Sequence, residues 1–149
     1  FKSPELIDKT VMKLIDESIV DYYSNTIEPS YPEGLDIEGC KFSALVKAHK
    51  SAKSIADREH VTSYIWNNPN IFNCLNFKYN EDLSEWRWTV DKYEDLEFIR
   101  SVVERFNLTY DFNFENLIIK LKQNQDLLNI NANKTVRNEG YLKSIGKLN

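Results

Sequence analysis

Apolar side chains recur every three or four residues in several stretches of the chain, and this spacing predicts helices. The first helix follows Ser3, which we expect to cap it, with Pro4 at the first helical position. Its apolar side holds Leu6, Ile7, Val11, Leu14 and Ile15. Further helices are predicted over residues 43–53, 57–67, 92–106, 114–123 and 139–145. We expect Ser43 and Asp57 to cap the first two of these, and the inner stripe of the third to be Leu96, Ile99, Val103 and Phe106.

Segments rich in β-branched and aromatic residues predict strands between these helices. They cover residues 21–25, 35–42, 71–79 and 86–90, and the last is the clearest. This interleaving indicates an α/β fold with a mixed sheet and flanking helices, spanning residues 1–149 as a single domain. Four strands are too few for a complete doubly wound domain, so we expect the start of the fold to be missing.

The composition is that of a globular protein, with 42% hydrophobic and 28% charged residues and a net charge of -4. This charge argues against nucleic acid as a partner, because binding a phosphate backbone needs a basic face, but it permits binding of one nucleotide. No apolar run approaches the ~20 residues of a membrane span, and no secretory signal is visible, so we expect a cytoplasmic protein. Cys40 and Cys74 fit no zinc or C-x-x-C spacing and are expected to be free thiols.

Two carboxylates are candidates for contacting a polar ligand. If residues 35–42 form a strand, Asp36 and Glu38 point to the same face, with Cα atoms roughly 6.6 Å apart. Such a pair can accept hydrogen bonds from sugar hydroxyls or hold a cation. The simpler interpretation, which alternation alone favours, is a strand with one solvated acidic face.

Two further segments combine charge with a helix start. In Asp57–Thr62, Asp57 is a good helix cap, and spacing favours that interpretation, although Arg58 and His60 could instead meet a phosphate or carboxylate. Asp91 follows the predicted strand 86–90, at the sheet edge where open α/β sheets bind ligands. Asp91 is equally well explained as the cap of the next helix, with Glu94 completing a capping box.

The chain contains only four glycines and none of the glycine-rich phosphate-binding motifs or nucleophile-elbow motifs. No residue pattern points to a catalytic triad. Chemistry would therefore depend on the carboxylates and basic residues named above.

Four segments, in order, resemble motifs of the cytidylyltransferase family of the spore coat polysaccharide biosynthesis type, which is related to the synthetases of CMP-activated acidic sugars. The segment 31–38 (YPEGLDIE) is similar to the family's Y-P-x-G-L-D-x-E, and 58–65 (REHVTSYI) is similar to R-E-H-V-T-x-Y-I. The segment 87–95 resembles R-x-T-V-D-x-x-E-D, and 137–144 resembles the family's usual ending. The resemblance covers nearly the whole chain.

The resemblance implies a nucleotide-diphosphosugar-transferase (Rossmann-like) fold and the activation of a sugar or sugar acid with CTP for surface polysaccharide. It implies that Asp91 is catalytic and holds Mg²⁺. It also implies that Asp36, Glu38, Arg58, Glu59 and Arg87 bind the acceptor substrate. In such a reaction a sugar hydroxyl attacks the α-phosphate of CTP, and catalysis consists mainly of positioning and charge neutralisation.

The family's glycine-containing nucleotide loop and its G-D-x-P metal aspartate would both precede Ser3. We therefore expect the chain to be the C-terminal half of such an enzyme, inactive alone, and to form a homodimer that covers its sheet edge. The alternative is a non-catalytic interaction or dimerisation module derived from the same fold.

Overall fold

The computed structural model describes residues 3–132 and 136–148. These residues form three short strands and eight helices in a mixed α/β arrangement, which confirms the predicted fold class. The strands are β1 Tyr22–Ser24, β2 Glu38–Cys40 and β3 Cys74–Asn76. The helices are α1 Pro4–Asp16, α2 Phe42–Ser51, α3 Ile55–Glu59, α4 Ser63–Trp66, α5 Tyr93–Phe106, α6 Phe114–Lys122, α7 Gln125–Leu128 and α8 Glu139–Ser144.

The sheet has the strand order β2-β1-β3, with β1 antiparallel to β2 and parallel to β3. Tyr22 of the buried central strand faces Cys40 on one side and Cys74 on the other. Helix α1 crosses the sheet so closely that a Cβ at Gly39 would lie 2.6 Å from Cγ2 of Thr10. A glycine is therefore required where this helix meets β2.

The core consists of two apolar clusters. The larger joins α1, α5, α6 and α7 to the loops around Tyr31 and Trp88, and the smaller packs Tyr22 against α2 and α4. Within the described residues, no helix is both long and apolar enough to cross a membrane.

The predicted start of α1 is confirmed, since the Ser3 hydroxyl accepts a hydrogen bond from the Leu6 amide at 3.4 Å. The predictions for α6 and α8 are confirmed to within one residue. The predicted strands at 21–25 and 71–79 are present but shorter, as β1 and β3.

The prediction of a strand over 86–90 is wrong, because this segment makes only an isolated parallel bridge between Glu33 and Arg87. The Trp88 amide donates to the Glu33 carbonyl at 2.6 Å, and the Glu33 amide donates to the Trp86 carbonyl at 2.8 Å. The chain then turns, and the Leu35 amide donates a hydrogen bond to the Pro32 carbonyl at 3.0 Å. This turn stops the ladder, and it also shortens the predicted strand 35–42 to β2.

Gly34 sits inside this turn with φ +109°, a conformation that L-residues rarely adopt. A Cβ there would lie 2.7 Å from the backbone carbonyl carbon of Trp88. The absence of a side chain thus allows the two backbones to touch, so the 31–38 segment lies directly on the 87–95 segment.

The single helix predicted over 57–67 is wrong. Helix α3 starts earlier, because Ser54 rather than Asp57 is its cap and accepts from the Asp57 amide at 3.0 Å. The helix then breaks where Ser63 donates from both its amide and its hydroxyl to the His60 carbonyl, at 2.9 and 2.8 Å. Serine competes in this way with helical hydrogen bonds, and α4 starts anew.

Two other caps are corrected. Helix α2 starts at Phe42, so Ser43 lies within the helix instead of capping it. Helix α5 starts after Lys92, and Asp91 does not cap it; instead, one oxygen of Asp95 accepts from the amides of Asp91 and Lys92, each at 3.1 Å.

The buried side of α5 differs from the predicted stripe, and the hydrogen-bonded Asp95 is the reason. Asp95, Phe98 and Val102 are its buried positions, whereas Val103 is 39% exposed. The polar contacts of Asp95 fix the rotation of the helix, and apolar periodicity gives no sign of a buried carboxylate.

Candidate functional site

An open cavity of about 570 Å³ lies between the edge strand β2, the turn joining α3 to α4, and α8. We call it the main cavity. Its lining comes from four parts of the chain: Thr26 and Ile27; Asp36 and Glu38; His60, Val61, Thr62, Ser63 and Trp66; and Arg137, Asn138, Tyr141 and Leu142.

Glu38, the first residue of β2, is exposed and lines the main cavity. Its carboxylate accepts a hydrogen bond from the Tyr22 hydroxyl at 2.7 Å and another from the Thr62 hydroxyl. Burial, together with the Glu38 charge, raises the pKa of Tyr22 well above its ordinary value, so this phenol stays a donor. No cation pairs with Glu38 among the residues that the structure describes.

Asp36, in contrast, is neutralised by Arg137, which donates to its carboxylate. The same guanidinium donates to the carbonyls of Tyr31 at 3.2 Å and Ser84 at 3.5 Å. Its Nε is buried and has no partner within the described residues. Arg137 therefore fastens the start of the C-terminal segment to the 31–36 loop.

Trp66 and Tyr141 line the same cavity as these carboxylates and form its aromatic wall. Tyr141 of α8 packs edge-on against His60 and Trp66, with ring centroids 5.3 and 5.0 Å apart. Its hydroxyl accepts from the Asn67 amide group at 2.7 Å, and the His60 Nε2 lies 3.1 Å from the Ser144 hydroxyl. Aromatic walls with nearby carboxylates can hold either sugar rings or cationic groups.

Beside the main cavity, Arg87 is the centre of a buried ion-pair network. Its Nε donates to both oxygens of Asp95, at 3.1 and 3.2 Å, and its two terminal nitrogens donate to Glu33 at 2.8 Å and Asp91 at 2.6 Å. Asn131 completes the network by donating to Asp95 and to the Arg87 carbonyl, at 3.0 and 2.9 Å.

The network keeps Asp95 and Arg87 ionised. Burial alone would raise the pKa of Asp95, but the hydrogen bonds from Arg87, Asn131 and two backbone amides outweigh it and lower the pKa. Burial likewise acts to lower the pKa of Arg87, and the carboxylates of Asp95 and Glu33 more than offset it. The 87–95 segment is thus held rigidly by charge.

Asp91 is the exposed end of this network, with 66% of its side chain accessible. It lines a smaller cavity of about 390 Å³, the Asp91 cavity, together with Glu33, Lys92, Lys143 and Asn138. Asn138 also lines the main cavity, so the two cavities adjoin there. In the described part of the chain, no group of three or more metal-binding side chains is present.

The structure brings together only some of the predicted site residues. Asp36 and Glu38 share the main cavity, and Arg87 holds Asp91 next to it. Arg58 lines a third cavity of about 420 Å³ between α2 and α3, and Glu59 is exposed at the end of α3 and lines none of the three. Substrate contact by Asp36, Glu38, Arg58, Glu59 and Arg87, and metal binding by Asp91, stay predictions.

Among the lining residues to which sequence reasoning assigned no role, Thr62, Arg137 and Tyr141 make the contacts described above. The signal that could have identified them was their position inside the segments 58–65 and 137–144, which resemble family motifs. Periodicity could not do so, since their importance depends on contacts between residues up to 106 positions apart.

The chain is similar to known proteins along most of its length. No protein-family model matches the chain. The chain is 36% identical over 141 residues to an uncharacterized protein of Methanocaldococcus jannaschii, a match that covers 93% of the chain and 55% of that protein.

A solved cytidylyltransferase from Leptospira borgpetersenii serovar Hardjo-bovis superposes with a TM-score of 0.78 and 26% identity. This match covers 89% of the chain and 54% of the solved structure. The chain therefore has a cytidylyltransferase-like fold of the nucleotidyltransferase kind, and it spans about half the length of both proteins that it matches.

Proposed function

We propose that the protein is a cytidylyltransferase that activates a sugar-type acceptor with CTP for surface polysaccharide, and that the main cavity receives the acceptor. One observation supports this above all. Three segments that resemble family motifs, 31–38, 58–65 and 137–144, contribute the lining of one cavity, and that cavity adjoins Asp91 of the fourth. The nucleotide site belongs, in this proposal, to the part of the relatives that the chain does not span.

The proposed reaction forms a bond between an acceptor hydroxyl oxygen and the α-phosphorus of CTP. The bond from that phosphorus to the β-phosphate oxygen breaks, pyrophosphate leaves and the hydroxyl proton is lost to solvent. In the main cavity, Glu38 accepts hydrogen bonds from acceptor hydroxyls, while the aromatic wall covers the ring. Both orient the acceptor with respect to the Asp91 cavity, and such positioning supplies much of the rate enhancement in transfer reactions.

The Asp91 carboxylate suits Mg²⁺, a hard cation that takes oxygen ligands, commonly one or two carboxylates together with substrate phosphates. Its side chain is 66% exposed, and Arg87 donates a hydrogen bond to one of its two oxygens. Bound there with the phosphates, Mg²⁺ would neutralise their charge during transfer. Arg87 is the positioning residue that sets the direction of Asp91.

The test is pyrophosphate release by the full-length protein from CTP, Mg²⁺ and a panel of sugars and sugar acids. We expect Asp91→Ala to abolish release while lowering the free energy of unfolding in urea by at most about 1 kcal/mol, because its ion pair with Arg87 is exposed. The matched control is Asp8→Ala, which removes an exposed carboxylate of α1 and should leave turnover intact. Normal turnover by Asp91→Ala would contradict the metal role, and no turnover with any acceptor would contradict the activity.

The alternative, a dimerisation module, is favoured by one observation. The α2–α3 cavity is bordered by Phe42 and Val61, which are 79% and 68% exposed. Asp57 and Arg58 lie side by side on its rim, so a twofold contact between two copies would set opposite charges against each other. Light scattering at high protein concentration tests this alternative: a dimer that Phe42→Ser dissociates supports it, and a monomer contradicts it.

A further inference from the structure

The charges of the main cavity indicate which acceptor it accepts. Apart from His60, three acidic or basic side chains line it among the described residues: Asp36, Glu38 and Arg137. Asp36 and Arg137 pair with each other, so the charge left for a ligand among the described lining residues is the Glu38 carboxylate. A ligand that enters therefore meets a negative site.

Arg137 is not available to bind a ligand carboxylate. Its side chain is only 15% exposed, and its terminal nitrogens are engaged by Asp36 and two backbone carbonyls. The remaining Nε is buried. To bind an incoming carboxylate, the guanidinium would have to leave these partners and abandon the Asp36 charge in a half-buried position, which is unfavourable.

The surroundings of Glu38 suit a cation instead. Its carboxylate already accepts two hydroxyl donors, from Tyr22 and Thr62, which fix its orientation. The aromatic wall of Trp66 and Tyr141 lines the same cavity, and aromatic faces attract ammonium groups. A carboxylate held in place in a cavity that aromatic rings also line is a favourable environment for a protonated amine.

We propose that the main cavity selects an amino sugar, accepts a neutral sugar less well and discriminates against a sugar acid, with Glu38 as the specificity-determining residue. This proposal rests on the proposed function in taking the main cavity as the acceptor site. It narrows that function from sugars and sugar acids in general to acceptors bearing a positive charge.

The test uses three probes that differ only at C6: 6-amino-6-deoxyglucose, glucose and glucuronate. Their dissociation constants for the full-length protein at neutral pH are measured by NMR titration, without CTP. We expect the amine to bind about fivefold or more tightly than glucose, the size expected for one ion pair at about 4 Å in water, and glucuronate to bind more weakly than glucose.

Glu38→Gln keeps a hydrogen-bond acceptor and removes the charge, so the differences in affinity among the three probes should disappear. The matched control is Glu97→Gln, which makes the same charge change at an exposed position of α5 and should preserve the order. Three results would each overturn the proposal. Glucuronate could bind as tightly as the amine or more tightly, the order of the three affinities could survive Glu38→Gln, or none of the probes could bind.

Pyrophosphate release from CTP is then measured with the same three sugars. If the three sugars bind in the expected order of affinity but none is turned over, the selectivity is supported and the transferase activity is refuted. Turnover with glucuronate in preference to the amine would support the activity and refute the selectivity. The two proposals therefore fail separately.

Discussion

Replacing Arg87 by methionine should destabilise the protein by about 3–5 kcal/mol, the usual loss when one partner of a buried ion pair is removed. Arg87 is 8% exposed, and its Nε contacts both oxygens of Asp95, which is 2% exposed. Most of the loss should come from Asp95, whose charge would remain buried with only Asn131 and backbone amides as donors. The exposed pair with Asp91 should contribute at most about 1 kcal/mol.

The assay is urea unfolding followed by tryptophan fluorescence, since Trp88 is buried next to the network. The matched control is Arg105→Met, because Arg105 pairs with Asp126 in an exposed position, 44% and 61% accessible. This control should lose about 1 kcal/mol or less. The double variant Arg87→Met/Asp95→Asn should recover part of the loss, because it also removes the buried charge.

A loss below about 1 kcal/mol for Arg87→Met, or one equal to that of Arg105→Met, would refute the reasoning that burial makes this network important for stability. A double variant less stable than the single variant would refute the assignment of the loss to an uncompensated Asp95 charge.

Two further outcomes are expected. Gly34→Ala should destabilise the protein by several kcal/mol in the same assay, because the new Cβ would lie 2.7 Å from the Trp88 backbone. The control is Gly140→Ala in α8, where nothing lies within 4 Å, and it should be neutral or stabilise the protein by about 1 kcal/mol. Equal effects of the two substitutions would contradict the steric argument. The pKa of Asp95 is lowered from its ordinary 3.8 in the folded state. Its contribution to the free energy of unfolding should therefore be complete above pH 3.8 and be lost as the pH falls towards the lowered folded-state pKa. When the urea midpoint is measured at a series of pH values, Asp95→Asn should reduce the loss of stability at acid pH, and an unchanged acid dependence would contradict the shift.

Local signals in the sequence predicted the helices that depend on local contacts. Ser3 and Pro4 determine the start of α1, and the apolar spacing over 114–123 determines α6. The same reasoning failed over 86–90, where alternation resembles a strand. A strand needs a continuous partner, and the turn at Gly34 leaves this segment with a single bridge.

The candidate site was only partly predictable for a related reason. Alternation placed Asp36 and Glu38 together, and the motif resemblance singled out the segments that surround them. Neither source could pair Asp36 with Arg137 or Glu38 with Thr62, because those contacts depend on how distant segments pack. The charge left on Glu38, on which the selectivity depends, is visible only after these partners are assigned.

The sheet register has a consequence for the redox chemistry of the chain. Cys40 and Cys74 both face Tyr22, from opposite sides of β1, so their Cα atoms are two strand spacings apart, about 9–10 Å. Cysteines can be bridged only when their Cα atoms lie within about 7 Å. The folded sheet thus keeps the two thiols apart under oxidising conditions, and any disulfide-linked species on a non-reducing gel would report contact between two copies or an opened sheet.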